Sequence, residues 1–102
     1  MNKNQHKVKE FIKDNNLSTS IEVRLIDLVS EVGELSKEII TGSSYGKSEY
    51  SQTSETKSEL GDVFFSLIEL ANLLDVDIDE ALDSVLIKYA DRISTKDTPA
   101  SK

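Results

Sequence analysis

The sequence predicts an all-α protein, a helical bundle of about four helices completed by association of identical chains. Three observations carry that prediction. Apolar residues recur at alternating spacings of three and four over two long stretches, the period of a single helix face. Four Gly and one Pro in 102 residues leave few sites for tight turns. The long stretches also carry a second apolar stripe beside the first, more apolar face than a chain of this length covers by itself.

The first helix falls within residues 1–16, where Val8, Phe11 and Ile12 form a short stripe. Asn15 and Asn16 end it, because Asn tolerates the left-handed conformation that stops a helix. In the second, Ile21, Leu25, Leu28, Val32, Leu35 and Ile39 follow at spacings of 4, 3, 4, 3 and 4. Ser18, Thr19 or Ser20 caps its start and Gly42 stands at its C-terminal cap. Ile26, Val29, Gly33, Ser36 and Ile40 make its second stripe. Residues 41–58 contain six Ser, three Thr, two Gly, two Tyr and no aliphatic side chain, which predicts a mobile loop and a candidate lid.

The third helix runs from about Ser54 to Leu74 on a seam of Leu60, Phe64, Leu67, Ala71 and Leu74, with Phe64 expected in the core. Asp77, three residues before Glu80, has the spacing of a helix N-cap. It opens a fourth helix carrying Ile78, Ala81, Leu82, Val85, Leu86, Tyr89 and Ile93, and residues 95–102 are a flexible tail. Residues 1–102, 11.4 kDa in all, form a single domain.

Composition excludes several functions. The net charge of −7 argues against nucleic acid as a partner. Without Cys there is no disulfide scaffold, thiolate zinc site or cysteine nucleophile. No apolar run spans a membrane and the first residues lack a signal-peptide core, so a cytoplasmic protein is expected, as a homodimer or homotetramer.

The informative acids lie beside the apolar seams. Glu31 and Glu34 flank Val32, and Glu59 and Asp62 flank Leu60. Residues three apart on a helix are surface neighbours, so each pair is a two-carboxylate claw on one face. If the two helices pack antiparallel, the four carboxylates converge. Four like charges at a half-buried site either take up protons or hold a divalent cation. An all-oxygen donor set suits Mg²⁺, or Mn²⁺ as a substitute, rather than zinc. Such ions keep coordination positions for phosphate oxygens. Gly33 and Gly61, one inside each claw, suggest close approach of a backbone or a ligand.

Glu31-Val32-Gly33-Glu34-Leu35 followed by Glu59-Leu60-Gly61-Asp62-Val63 resembles the Glu-x-x-Glu … Glu-x-x-Asp signature of the MazG-like all-α nucleoside triphosphate pyrophosphohydrolases. Ala71-Asn72-Leu73-Leu74 with Asp77-Ile78-Asp79-Glu80-Ala81-Leu82 is similar to the family's link into its last helix, and Lys88-Tyr89-Ala90-Asp91-Arg92 to its closing element. Ser30, Ser58 and Ile87 depart from residues frequent in the family. The resemblance implies Mg²⁺-dependent hydrolysis of a (deoxy)nucleoside triphosphate between the α and β phosphates, giving a monophosphate and pyrophosphate.

It further implies that Glu31, Glu34, Glu59 and Asp62 are catalytic and hold the metal, or that one Glu among them instead orients the water as base. Lys88 and Arg92, four apart, would meet phosphate oxygens, unless they are only a cationic pair near a helix C-terminus. Asn72 would contact the nucleotide or bridge helices. Phe11, Phe64, Phe65, Tyr45 and Tyr50 are the aromatics able to stack on a base. Two alternatives stand beside this reading: phosphoribosyl-ATP pyrophosphohydrolysis in histidine synthesis, and a non-catalytic acidic interaction module.

Overall fold

In a computed structural model of the chain, which describes residues 1–96, the helices are α1 (Lys3–Asp14), α2 (Ile21–Gly42), α3 (Thr56–Leu73) and α4 (Ile78–Lys96). No strand occurs among the described residues. Within them no helix is long and apolar enough to cross a membrane. The tail expected at 95–102 begins inside α4, and its remainder lies outside the described residues.

Local chemistry sets the helix ends. Asn2 Oδ1 accepts the Gln5 amide at 2.7 Å and so caps α1. Asn16, at φ 54°, ends it in the left-handed region as expected. Of the three candidates, Ser20 is the α2 cap, its hydroxyl accepting the Val23 amide at 3.1 Å. Asp77 Oδ1 accepts the amides of Asp79 at 3.0 Å and Glu80 at 3.2 Å, capping α4.

The link after α2 differs from the expectation. Gly42 is the last helical residue and Ser43 the cap. A Cβ on Gly42 would lie 2.6 Å from the Tyr50 ring and 2.8 Å from the Ser51 carbonyl, so glycine is required there by close approach rather than by a left-handed cap. The chain turns at Ser44, Tyr45 and Gly46, all at positive φ. It returns along α2 through the Ser51 amide on the Gly42 carbonyl at 2.9 Å and the Tyr50–Thr56 hydroxyl contact at 2.8 Å. Helix therefore claims residues 41–42 and 56–58 of the segment read as loop.

Helix α3 is the centre of the fold: α2 packs along it and α1 crosses it, whereas α4 packs on no other helix to a comparable extent. Ile12, Ile68 and Ala71 form the buried apolar core. Phe11 meets Phe65 edge-on, with ring centroids 6.1 Å apart. Phe65, not Phe64, is thus the aromatic packed inside, and Phe64 stays about half exposed.

Gln5 is 0% exposed. Its carboxamide donates to Asn72 Oδ1 at 3.0 Å and to the Val76 carbonyl at 2.8 Å, and accepts the Ile78 amide at 3.0 Å. One side chain of α1 therefore satisfies the turn joining α3 to α4, at the point where backbone groups would otherwise be orphaned.

Candidate functional site

Helices α2 and α3 run antiparallel. Arg24 lies over the Phe65 ring at 5.7 Å, Glu31 meets Glu59 and Asp62, and Glu38 accepts the Thr53 hydroxyl. The α2 face turned to α3 is the one bearing Arg24, Leu28, Glu31, Leu35 and Glu38. Of the six residues of the predicted seam, Leu28 and Leu35 lie on this face, whereas Ile21, Leu25, Val32 and Ile39 remain substantially exposed. The seam is thus split along its length, and Glu31 and Glu38 share the face turned to α3 with Leu28 and Leu35.

Carboxylate oxygens of Glu31, Glu59 and Asp62 all lie within 4.8 Å of one another. Glu31 and Glu59 are half-buried and Asp62 is exposed. Glu34, the fourth acid of the claws, is exposed and stands outside this trio, yet its charge still bears on Glu59. Partial burial, followed by repulsion from Asp62, Glu34, Glu31 and Glu38, raises the Glu59 pKa above the ordinary glutamate value. Glu38 was not singled out from the sequence. Extending the 31–34 spacing by one further turn places it on the same face.

The donor set fits a divalent cation. Oxygens sharing one Mg²⁺ at about 2.1 Å sit roughly 3–4 Å apart, so rotamer adjustment closes the trio onto an ion. Three hard anionic ligands without nitrogen or sulfur exclude a typical zinc preference. Farther along the same hairpin, burial raises the pKa of Glu69 and the nearby Arg24 charge partly offsets the shift.

The remaining expected residues are not gathered here. Asn72 spends its carboxamide on Gln5: its Oδ1 accepts from Gln5 Nε2 and its Nδ2 donates to the Gln5 carbonyl, each at 3.0 Å. Ten residues beyond Asp62 on α3, it stands about 15 Å along the helix axis. The structure assigns it as a bridge between α1 and α3. Lys88 and Arg92 lie on α4, which stands off the hairpin, and neither is among the charges bearing on Glu59. Lys88 Nζ instead sits 5.6 Å from the Tyr89 ring centroid.

A Cβ on Gly33 or Gly61 would meet nothing within 4 Å among the described residues, so no backbone of the chain itself approaches either glycine. Phe11, Phe64 and Phe65 line a cleft of about 390 Å³ beside Gly61, whereas Tyr45 is exposed and Tyr50 packs on Gly42.

Comparison with known proteins agrees with this geometry. Residues 20–95 match the family described as the MazG nucleotide pyrophosphohydrolase domain. The uncharacterised protein YpjD of Bacillus subtilis (strain 168) is 41% identical over 68 residues, 64% of this chain. The match spans 60% of that relative's length. The crystal structure of YpjD from Bacillus subtilis, described there as a candidate pyrophosphatase, aligns with a TM-score of 0.69 at 32% identity, covering 83% of this chain and 86% of that one.

Proposed function

The chain belongs to the MazG nucleotide pyrophosphohydrolase domain family, and from that premise we propose that it hydrolyses a (deoxy)nucleoside triphosphate between the α and β phosphates with Mg²⁺. The products are a nucleoside monophosphate and pyrophosphate. The observation that carries this reading is the convergence of Glu31, Glu59 and Asp62 from two helices. A non-catalytic acidic module has no need to gather acids in this way.

A triphosphate brings several negative charges to its own cleavage, so phosphoryl chemistry depends on neutralising them and positioning the attacking water. Mg²⁺, with Mn²⁺ as a substitute, supplies that neutralisation and polarises the phosphate oxygens. Glu31, Glu59 and Asp62 are the residues that would hold it. Glu34, at the edge of the cluster, extends the donor set or orients the water. A glutamate of the cluster accepts the proton as the water oxygen bonds to the α phosphorus and the α–β bridging bond breaks. Glu38, tied to Thr53, links the segment between α2 and α3 to the same acidic face. Lys88 and Arg92 serve the phosphates only in an arrangement that brings α4 to the hairpin.

The test is a panel of nucleoside triphosphates incubated with the protein, with and without Mg²⁺, scoring pyrophosphate against orthophosphate. The expected outcome is Mg²⁺-dependent pyrophosphate with matching monophosphate. Orthophosphate as the sole inorganic product contradicts α–β cleavage.

A further inference from the structure

The hairpin of α2 and α3 is anchored at one end and carries its acids toward the other. Arg24 is the only buried residue of α2. The buried residues of α3 are Ser66, Ile68, Glu69 and Ala71, all in its C-terminal half, which the antiparallel pairing sets beside the start of α2. No residue of α2 after Arg24, and none of α3 before Ser66, is buried. Glu31, Glu59 and Asp62 therefore meet at the looser end. Their relative height depends on what fixes α2 against α3 farther along.

That anchor is a charged one. Arg24 is 8% exposed and Glu69 3%. The guanidinium lies over the Phe65 ring at 5.7 Å. Its Nη2 donates to the Leu17 carbonyl and its Nη1 to Asp27, each at 3.5 Å, and its charge acts on Glu69. Phe65 is itself braced edge-on by Phe11 of α1. Glu69 follows Phe65 by four residues, so ring and carboxylate are neighbours on one face of α3. A planar cation that must lie on a ring and face a carboxylate at once accepts few positions along the helix. An apolar side chain in its place could slide. Buried charge is a weak source of stability, and Arg24 Nε adds to the cost by finding no partner among the described residues. The site fits a role in register better than one in stability.

Sequence spacing connects this anchor to the acids. Glu31 follows Arg24 by seven residues, and Glu69 follows Asp62 by seven. Seven residues make about two turns, returning to nearly the same face about 10 Å along the axis. In the antiparallel hairpin the Arg24–Glu69 level and the Glu31–Asp62 level are thus two rungs of one ladder. Arg24 is not among the charges bearing on Glu59, so it reaches the acids through helix position and not through its field. Resting on the reading of the acid trio as a cation site, we propose that Arg24 and Glu69 are positioning residues for that site: their pairing beside Phe65 sets the register that brings Glu31 to Glu59 and Asp62.

Calorimetric titration of the metal-free protein with MnCl₂ tests it, with circular dichroism and urea unfolding on each variant. Wild type should bind Mn²⁺ saturably. The neutral pair variant Arg24→Met/Glu69→Gln keeps every acid of the claws and should keep native helicity, yet bind Mn²⁺ roughly 10–100-fold more weakly, the scale on which groups that orient metal ligands act. It leaves neither buried charge without its partner, so its urea midpoint should stay near wild type or rise. Glu22→Gln, exposed in the first turn of α2, removes a charge of the same helix away from the anchor and should keep wild-type affinity. Wild-type affinity in the folded pair variant overturns the proposal and leaves the cation reading intact, as does equal weakening by Glu22→Gln. Collapse of helicity in the pair variant also overturns it, since the two charges then hold the fold rather than its register. A wild type that binds no Mn²⁺ overturns both.

Discussion

Glu59→Gln is expected to abolish most pyrophosphate release, by roughly 10²–10³-fold, the scale on which one pre-organised electrostatic group acts in a transition state. The loss should fall on kcat, with the monophosphate product unchanged in identity. The same substitution should move metal-free stability the other way. Glu59 is pressed by partial burial and by four other carboxylates, so a neutral isostere relieves repulsion and raises the Tm of the metal-free protein. Mg²⁺ should then stabilise wild type more than the variant, since a ligand stabilises only as it binds the native state.

The pH dependence follows the same charge. The Glu59 pKa is raised in the folded chain, so the native state holds that proton more tightly than the unfolded state. Between the ordinary glutamate value and the raised one, increasing pH ionises Glu59 inside the cluster and lowers its contribution to stability. Metal-free Tm measured across that window should show this slope in wild type and lose it in Glu59→Gln. An unchanged slope would mean that Glu59 does not carry the repulsion.

Gln5→Ala is the substitution expected to cost the most stability. It removes a fully buried side chain and strands Asn72 Oδ1, the Val76 carbonyl and the Ile78 amide together. An orphaned buried polar group costs about 1–3 kcal/mol, so partial rescue by water still leaves a loss of about 3 kcal/mol. That is a large share of an ordinary domain's stability, about 5–15 kcal/mol. Urea unfolding should show the midpoint falling with little change in slope. A loss below about 1 kcal/mol would show that the α3–α4 turn does not depend on this carboxamide.

The helices themselves were legible because apolar spacing reports a helix face directly, and the ends were legible where a cap has its own chemistry, as at Ser20, Asn16 and Asp77. Which face meets which neighbour was not legible. Periodicity groups Leu25, Val32 and Ile39 on one side of α2, but it cannot say that this side stays open while Glu31 and Glu38 turn toward α3. The same blindness placed Phe64 in the core and read Phe65 only as an aromatic able to stack on a base, one residue apart on α3.

Of the candidate site, the acids that meet were readable from paired i,i+3 spacing on consecutive helices. Glu34 shares that spacing yet lies at the edge, because the crossing of the two helices decides which oxygens converge. Asn72 carried a polar signal within an apolar run without naming its partner. That partner, Gln5, is an ordinary polar residue in a polar segment whose burial exists only once α1 crosses α3. Lys88 and Arg92 share a helix face by spacing, but the direction of α4 is set by that same distant glutamine.

Manganese binding followed by electron paramagnetic resonance tests the central claim most directly, because it reads the acid cluster without relying on turnover. Wild type should quench the free-ion signal saturably, with affinity increased by a non-hydrolysable α,β-substituted triphosphate, and a variant combining Glu31→Gln, Glu59→Gln and Asp62→Asn should leave the signal free. Equal quenching by wild type and the triple variant would contradict the assignment of Glu31, Glu59 and Asp62 as the seat of the cation.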